Sequence, residues 1–166
     1  MKKLRTFDIF TAALKDFESK DKVLYSWPKN RIALTHSLAQ RLWASLQKEG
    51  SALNVDMNPH LQKSKKSINP DIAVHNRKGQ TTLAVVCRND YLSENEQKGL
   101  MELANSWSLA MAVSFFPQKS YMLLYRATPS AIEYFHFDRN TLTVEAVRSK
   151  TFETKKDNSE QTYLSL

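Results

Sequence analysis

The sequence predicts an α/β domain with a mixed β-sheet flanked by helices. Leu34, Leu38, Leu42 and Leu46 step by four, so one stripe of a long helix is apolar. Residues 83–87, LAVVC, are apolar at every position, as in a central strand covered on both faces. Helical and strand-type segments follow one another along the chain, an order that packs helices onto a sheet.

A first helix is expected over about Asp8 to Ser19, with Ile9, Phe10, Ala13, Leu14 and Phe17 at helical spacing. Pro28 in SWPKN breaks it, because proline lacks the donor a helix interior needs. The second helix, about Asn30 to Glu49, carries the leucine stripe flanked by Ala39 and Trp43 and ends at Gly50. Its wet side is read as Ser37, Gln40, Arg41 and Lys48, and its leucine face should pack on a sheet.

A short strand follows at about Ala52 to Met57, then the basic loop NPHLQKSKKSIN. DIAVH and TTLAVVCR form the next two strands, joined by a turn over Asn76 to Gln80 that contains Gly79. A third helix is expected from Glu94 to Trp107, with Leu100, Leu103, Ala104 and Trp107 facing inward. LAMAVSFFP and SYMLLYRA read as strands, and AIEYFHF and LTVEAVR as a hairpin turning at Asp138–Asn140. A polar tail begins at Phe152.

All 166 residues read as one domain, with a core over about 30–126, a hairpin over 131–149 and the tail over 152–166. A chain of this length buries about two-thirds of its unfolded surface. No apolar run approaches the ~18 residues of a membrane span, and the start of the chain turns polar too early for a signal peptide. With the single cysteine, Cys87, this reads as a cytoplasmic protein without membrane partners, intrachain disulfide or cysteine zinc cluster. No glycine-loop nucleotide motif is present. The 24 Lys+Arg against 17 Asp+Glu give a formal charge of +7, which admits nucleic acid as a partner without requiring it.

Several residues together resemble a known family. NRIALTHSLAQRL on the second helix, Val55-Asp56, then Pro70-Asp71-Ile72-Ala73-Val74-His75, then Val86-Cys87-Arg88 are similar in order to the PD-(D/E)XK superfamily, the restriction-endonuclease-like fold, and in particular to its small uncharacterised bacterial members. The likeness covers about residues 30–126 and lies in organisation more than in identity. It implies a nuclease core in which two carboxylates and the backbone carbonyl of the middle E-x-K residue hold Mg²⁺, while a lysine stabilises charge.

At the family's positions stand Asp71 for the first acid, Val86 for the second, Arg88 for the lysine and Arg31 for the acid of the helix. Residues two apart on a strand share a face, so Val86 and Arg88 should look at Asp71. Arg31 falls within the leucine arc and should point at the sheet. A dication ~5 Å from two guanidiniums meets roughly 13 kcal/mol of repulsion at an effective dielectric of ~20, against roughly 7 of attraction to Asp71. Valine offers no ligand atom. The catalytic positions Asp71 and Arg88 are therefore read as inactive, without cofactor. Asp71 serves either as metal ligand or as ion-pair partner of Arg31 and Arg88.

The remaining role is a non-catalytic module that binds nucleic acid (DNA or RNA) or regulates. Arg31, Arg88, Lys63, Lys65, Lys66, Arg77 and Lys78 would then form its anion-attracting surface. One alternative is an active Mg²⁺-dependent nuclease that joins Asp71 to a migrated acid, Asp56, Asp90 or Glu94, with Glu96 also within the same stretch. Another is a protein-interaction scaffold.

His36 is expected at the edge of the leucine arc as a packing residue; His60 and His75 lack metal-ligand spacing. Cys87 reads as a buried small hydrophobe. Tyr121, Tyr125, Tyr134 and Phe135 are either stacking faces or core.

Overall fold

The computed structural model describes residues 3–59 and 68–152. Helix α1 spans Lys3–Asp21 and is followed by a 3₁₀ turn, Lys22–Ser26. Helix α2 spans Arg31–Lys48 and α3 spans Glu94–Leu103. The strands are β1 Asn54–Met57, β2 Ile72–His75, β3 Thr81–Arg88, β4 Leu109–Ser114, β5 Tyr121–Ala127, β6 Ala131–Asp138 and β7 Thr143–Thr151.

All seven strands form one mixed sheet in the order β1-β2-β3-β4-β5-β6-β7. Every pair is antiparallel except β3–β4, which α3 connects as a crossover. The terminal hairpin thus extends the same sheet. Among the described residues no helix is long and apolar enough to cross a membrane.

Strand alternation sorts the core into two layers. Ile72, Val74, Leu83, Val85, Cys87, Met111, Val113, Leu124 and Phe137 face α1 and α2, joining Phe10, Phe17 and the leucine stripe of α2. Ala73, Ala84, Val86, Ala110, Ala112, Tyr125 and Tyr134 face α3 with Leu100, Leu103 and Trp107. Small residues on this second face let α3 lie close, and Gly99 admits the segment that precedes β2: a Cβ there would meet Ile68 at 3.1–3.3 Å. Each fully buried leucine or phenylalanine contributes about 1.5–3 kcal/mol through removal from water.

The strands between residues 72 and 138 lie close to where alternation puts them; other expectations need correction. Helix α3 stops at Leu103 rather than Trp107, because Asn105 and Ser106 close i→i−3 turns on Glu102 and Leu103. Ser37 is buried, not wet, and with half-buried Arg41 it faces α1, where both hold Asp21. Trp43 and His36 face outward from α2: Trp43 is 45% exposed, and His36 is likewise exposed. Strand β4 ends at Ser114, and Phe116 adopts a left-handed φ of 45°, a strained value for a bulky side chain, which turns the chain out of the sheet.

Candidate functional site

Asp71 stands at the mouth of β2, fixed by its backbone: its N–H donates to Val85 O (2.9 Å) and its carbonyl accepts from Asn58 N (2.8 Å). Its carboxylate is largely buried and three donors reach it. Oδ2 accepts from the Cys87 backbone N–H at 2.7 Å and from Arg88 Nη1 at 3.2 Å. Oδ1 lies 3.6 Å from Arg31 Nη1. The two guanidiniums expected beside this acid are both there.

They arrive differently from the expectation. Arg31 does not point inward within the leucine arc: it opens α2, keeps 46% of its side chain exposed and leans in from the rim. Val86 is fully buried in the core under α3 and takes no part in the site. Arg88 ends β3 and its Nε donates to Glu96 Oε2 at 2.6 Å, while Nη1 turns back to the Cys87 carbonyl at 2.8 Å and to Asp71. Arg31, Asp71, Arg88 and Glu96 therefore form a chain of alternating charge that links α2, the mouth of β2, β3 and α3 across the end of the sheet.

Glu96 is the residue whose role sequence reasoning missed. It is the N3 residue of α3, and its Oε1 accepts from the Ser93 N–H at 3.1 Å while Ser93 Oγ accepts from the Glu96 N–H at 3.1 Å. Burial pushes its pKa up, but the Ser93 hydrogen bond and the Arg88 guanidinium outweigh that and hold it below the usual glutamate value. The signal was present as S-x-x-E, residues 93–96, the pattern of a capping box.

The other acids are occupied elsewhere. Asp56 accepts from Arg77 Nε (2.9 Å) and Nη2 (2.5 Å) and lies 2.6 Å from His75 Nε2, closing a pair of neighbouring strand ends. The Arg77 hydrogen bonds pull its carboxyl down, partial burial opposes them, and His75 adds to the pull; the result is about 2. Asp90 Oδ1 accepts from the Tyr91 N–H at 2.7 Å. Glu94 is exposed and lies 3.7 Å from Lys98. Among the described residues no three His, Cys, Asp or Glu side chains gather as a group able to hold a metal. The set Asp71, Asp56, Asp90 and Glu94 is thus not brought together. The residues around Asp71 do not fit a divalent cation, since the nitrogen of Arg88 already bonds both the carboxylate and the Cys87 carbonyl.

Of the residues expected to attract anions, Arg77 is engaged by Asp56 and Lys78 stays exposed in the β2–β3 turn. Lys63, Lys65, Lys66 and His60 lie outside the described residues. Arg88 is engaged through Nε and Nη1. Cys87 is fully buried, and burial together with the charge of Asp71 pushes its thiol up to about 12, which leaves it unreactive. Tyr125, Tyr134 and Phe135 are core, whereas Tyr121 lies half-buried at the sheet end.

Comparison with protein-family models, curated proteins and solved structures returns no match for this chain.

Proposed function

We propose that the chain is a restriction-endonuclease-like domain of PD-(D/E)XK type with a degenerate catalytic site, acting in the cytoplasm as a nucleic-acid-binding or regulatory module. Supporting this are the order α2-β1-β2-β3-α3-β4 with β3 and β4 parallel, the acid at the mouth of β2 and the formal charge of +7. One observation carries the loss of catalysis. Arg88 Nη1 bonds the Asp71 carboxylate and the Cys87 carbonyl, the two groups that the family resemblance assigns to a cation. A fixed guanidinium does electrostatically what the metal would do structurally: it neutralises the carboxylate. It supplies no activated water.

The proposed nucleic-acid contact falls on cations that keep free donors. Arg31 is half exposed and makes one long ion pair, so it remains available to a phosphate.

The test is digestion of plasmid and oligonucleotide substrates by the full chain with Mg²⁺ or Mn²⁺, beside the Asp71→Ala variant. No metal-dependent cleavage is expected. Cleavage that the variant loses would establish an active nuclease instead. Retention on heparin and on DNA should fall steeply with salt; a response flat across salt would leave a protein-interaction scaffold.

A further inference from the structure

The rim beyond the C-terminal ends of β3 and β4 carries a row of four aromatic rings. Tyr91 meets Phe116 with centroids 4.7 Å apart, Phe116 meets Tyr121 at 5.6 Å, and Tyr121 meets His136 at 4.2 Å. Phe116 is buried and serves as the footing, whereas Tyr91 is 56% exposed. An exposed tyrosine held edge-on to a buried ring is already ordered, so a partner stacking on it loses little of its binding energy to ordering the site. Lys119 stands over the row, 4.4 Å from the Phe116 centroid, 5.0 Å from Tyr91 and 5.5 Å from Tyr121.

Lys119 also borders a polar pocket of about 490 Å³ between the 3₁₀ turn, the β4–β5 loop and the β6–β7 turn. Lys22 and Arg139 line it with Lys119, and Glu18 is the one acid among its lining residues. Arg139 keeps only 7% of its side chain exposed. Its Nη1 and Nη2 are fixed on the carbonyls of Phe115, Phe116 and Lys119, its guanidinium covers the Tyr25 ring at 4.1 Å, and its Nε makes no hydrogen bond, lying 3.6 Å from Glu18 Oε2. The pocket therefore holds an excess of positive charge built on a rigid, buried arginine, with an aromatic row at its edge.

Resting on the nucleic-acid reading above, we infer that this corner binds single-stranded nucleic acid, with a base stacked on Tyr91 and an adjoining phosphate held by Lys119 at the Lys22–Arg139 pocket. Stacking demands a base face that is free, and a duplex keeps its base faces covered; the aromatic row therefore selects an unpaired strand. The cations beside it neutralise the backbone without reading sequence.

The experiment measures fluorescence anisotropy of a labelled 15-nucleotide single strand and of a hairpin duplex against the full chain, as a salt series. The single strand should bind about tenfold or more tightly than the duplex. Tyr91→Ala should weaken it about five- to a hundredfold, and Tyr91→Trp should retain or strengthen it. Lys119→Ala should lower the slope of log affinity against log salt by about 0.7, one phosphate contact on a single strand. Duplex binding with a single-strand affinity that Tyr91→Ala leaves within about twofold overturns this inference alone. Failure of both probes to bind overturns it together with the nucleic-acid reading.

Discussion

Arg88 Nη1 lies 3.2 Å from Asp71 Oδ2 and 2.8 Å from the Cys87 carbonyl, so one guanidinium closes the mouth of β2 and the end of β3 together. Removing either partner strands the other in a site that is mostly out of water. Arg88→Ala should cost about 1–3 kcal/mol, less than a fully buried pair because both groups keep some solvent. A double-mutant cycle with Asp71→Asn, read by urea denaturation, should give a coupling energy of about 0.5–3 kcal/mol. Additive losses would mean that the contact contributes nothing.

Placing at position 86 the second acid that the proposed PD-(D/E)XK reading calls for should fail for a reason of placement. Val86 is wholly enclosed under α3, so Val86→Glu puts an unpaired carboxylate into an apolar layer. The expected result is a loss of about 3 kcal/mol or more in chemical denaturation, and no gain in Mg²⁺ affinity by calorimetry. A stable, metal-binding variant would show that the acid can reach Asp71.

The helix pair α1–α2 depends on a polar contact inside its interface. Asp21 accepts from Ser37 Oγ and Arg41 Nε, each at 2.7 Å, and the Arg41 hydrogen bond holds its carboxyl below the usual aspartate value despite burial. Ser37→Ala should cost about 1 kcal/mol, and Asp21→Ala about 1–3, since it leaves both Ser37 and Arg41 without their acceptor. Thermal melts of the two variants should rank in that order.

Asp56 sets an acid limb to the stability profile. Its folded carboxyl sits at about 2, below the ordinary value of about 3.9. A group depressed on folding stabilises above its unfolded pKa, and the contribution is lost as pH falls from about 4 through about 2. Solvent screening of the exposed Arg77 keeps this contribution modest. The gap in urea midpoint between the native chain and Asp56→Asn should be widest above pH 4 and close toward pH 2.

Much of the architecture was legible because periodicity reports burial. The continuous apolar run at Leu83–Cys87 marked a strand with helices on both sides, and the leucine stripe marked the inner face of α2. Polar residues misled where they were buried by pairing: Ser37 and Arg41 looked solvated because Asp21, their partner, lies on another helix. Around Asp71 the sequence named the right charges, Arg31 and Arg88, although Arg31 reaches the acid from the rim at the start of α2 and not through its phase in the leucine arc. It weighed Glu96 only as a migrated metal ligand and missed its hold on Arg88 at the end of β3, and it did not separate Val86 from the site. Tyr91 escaped notice because nothing local shows that Phe116 and Tyr121 come beside it.

Glu96 uses one oxygen to start α3 and the other to anchor Arg88, so the crossover helix and the strand terminus answer to a single side chain. Shortening it to aspartate would make the two demands compete, and whichever was left unmet would loosen the junction between the layers. Drift at this position would be resisted on structural grounds alone.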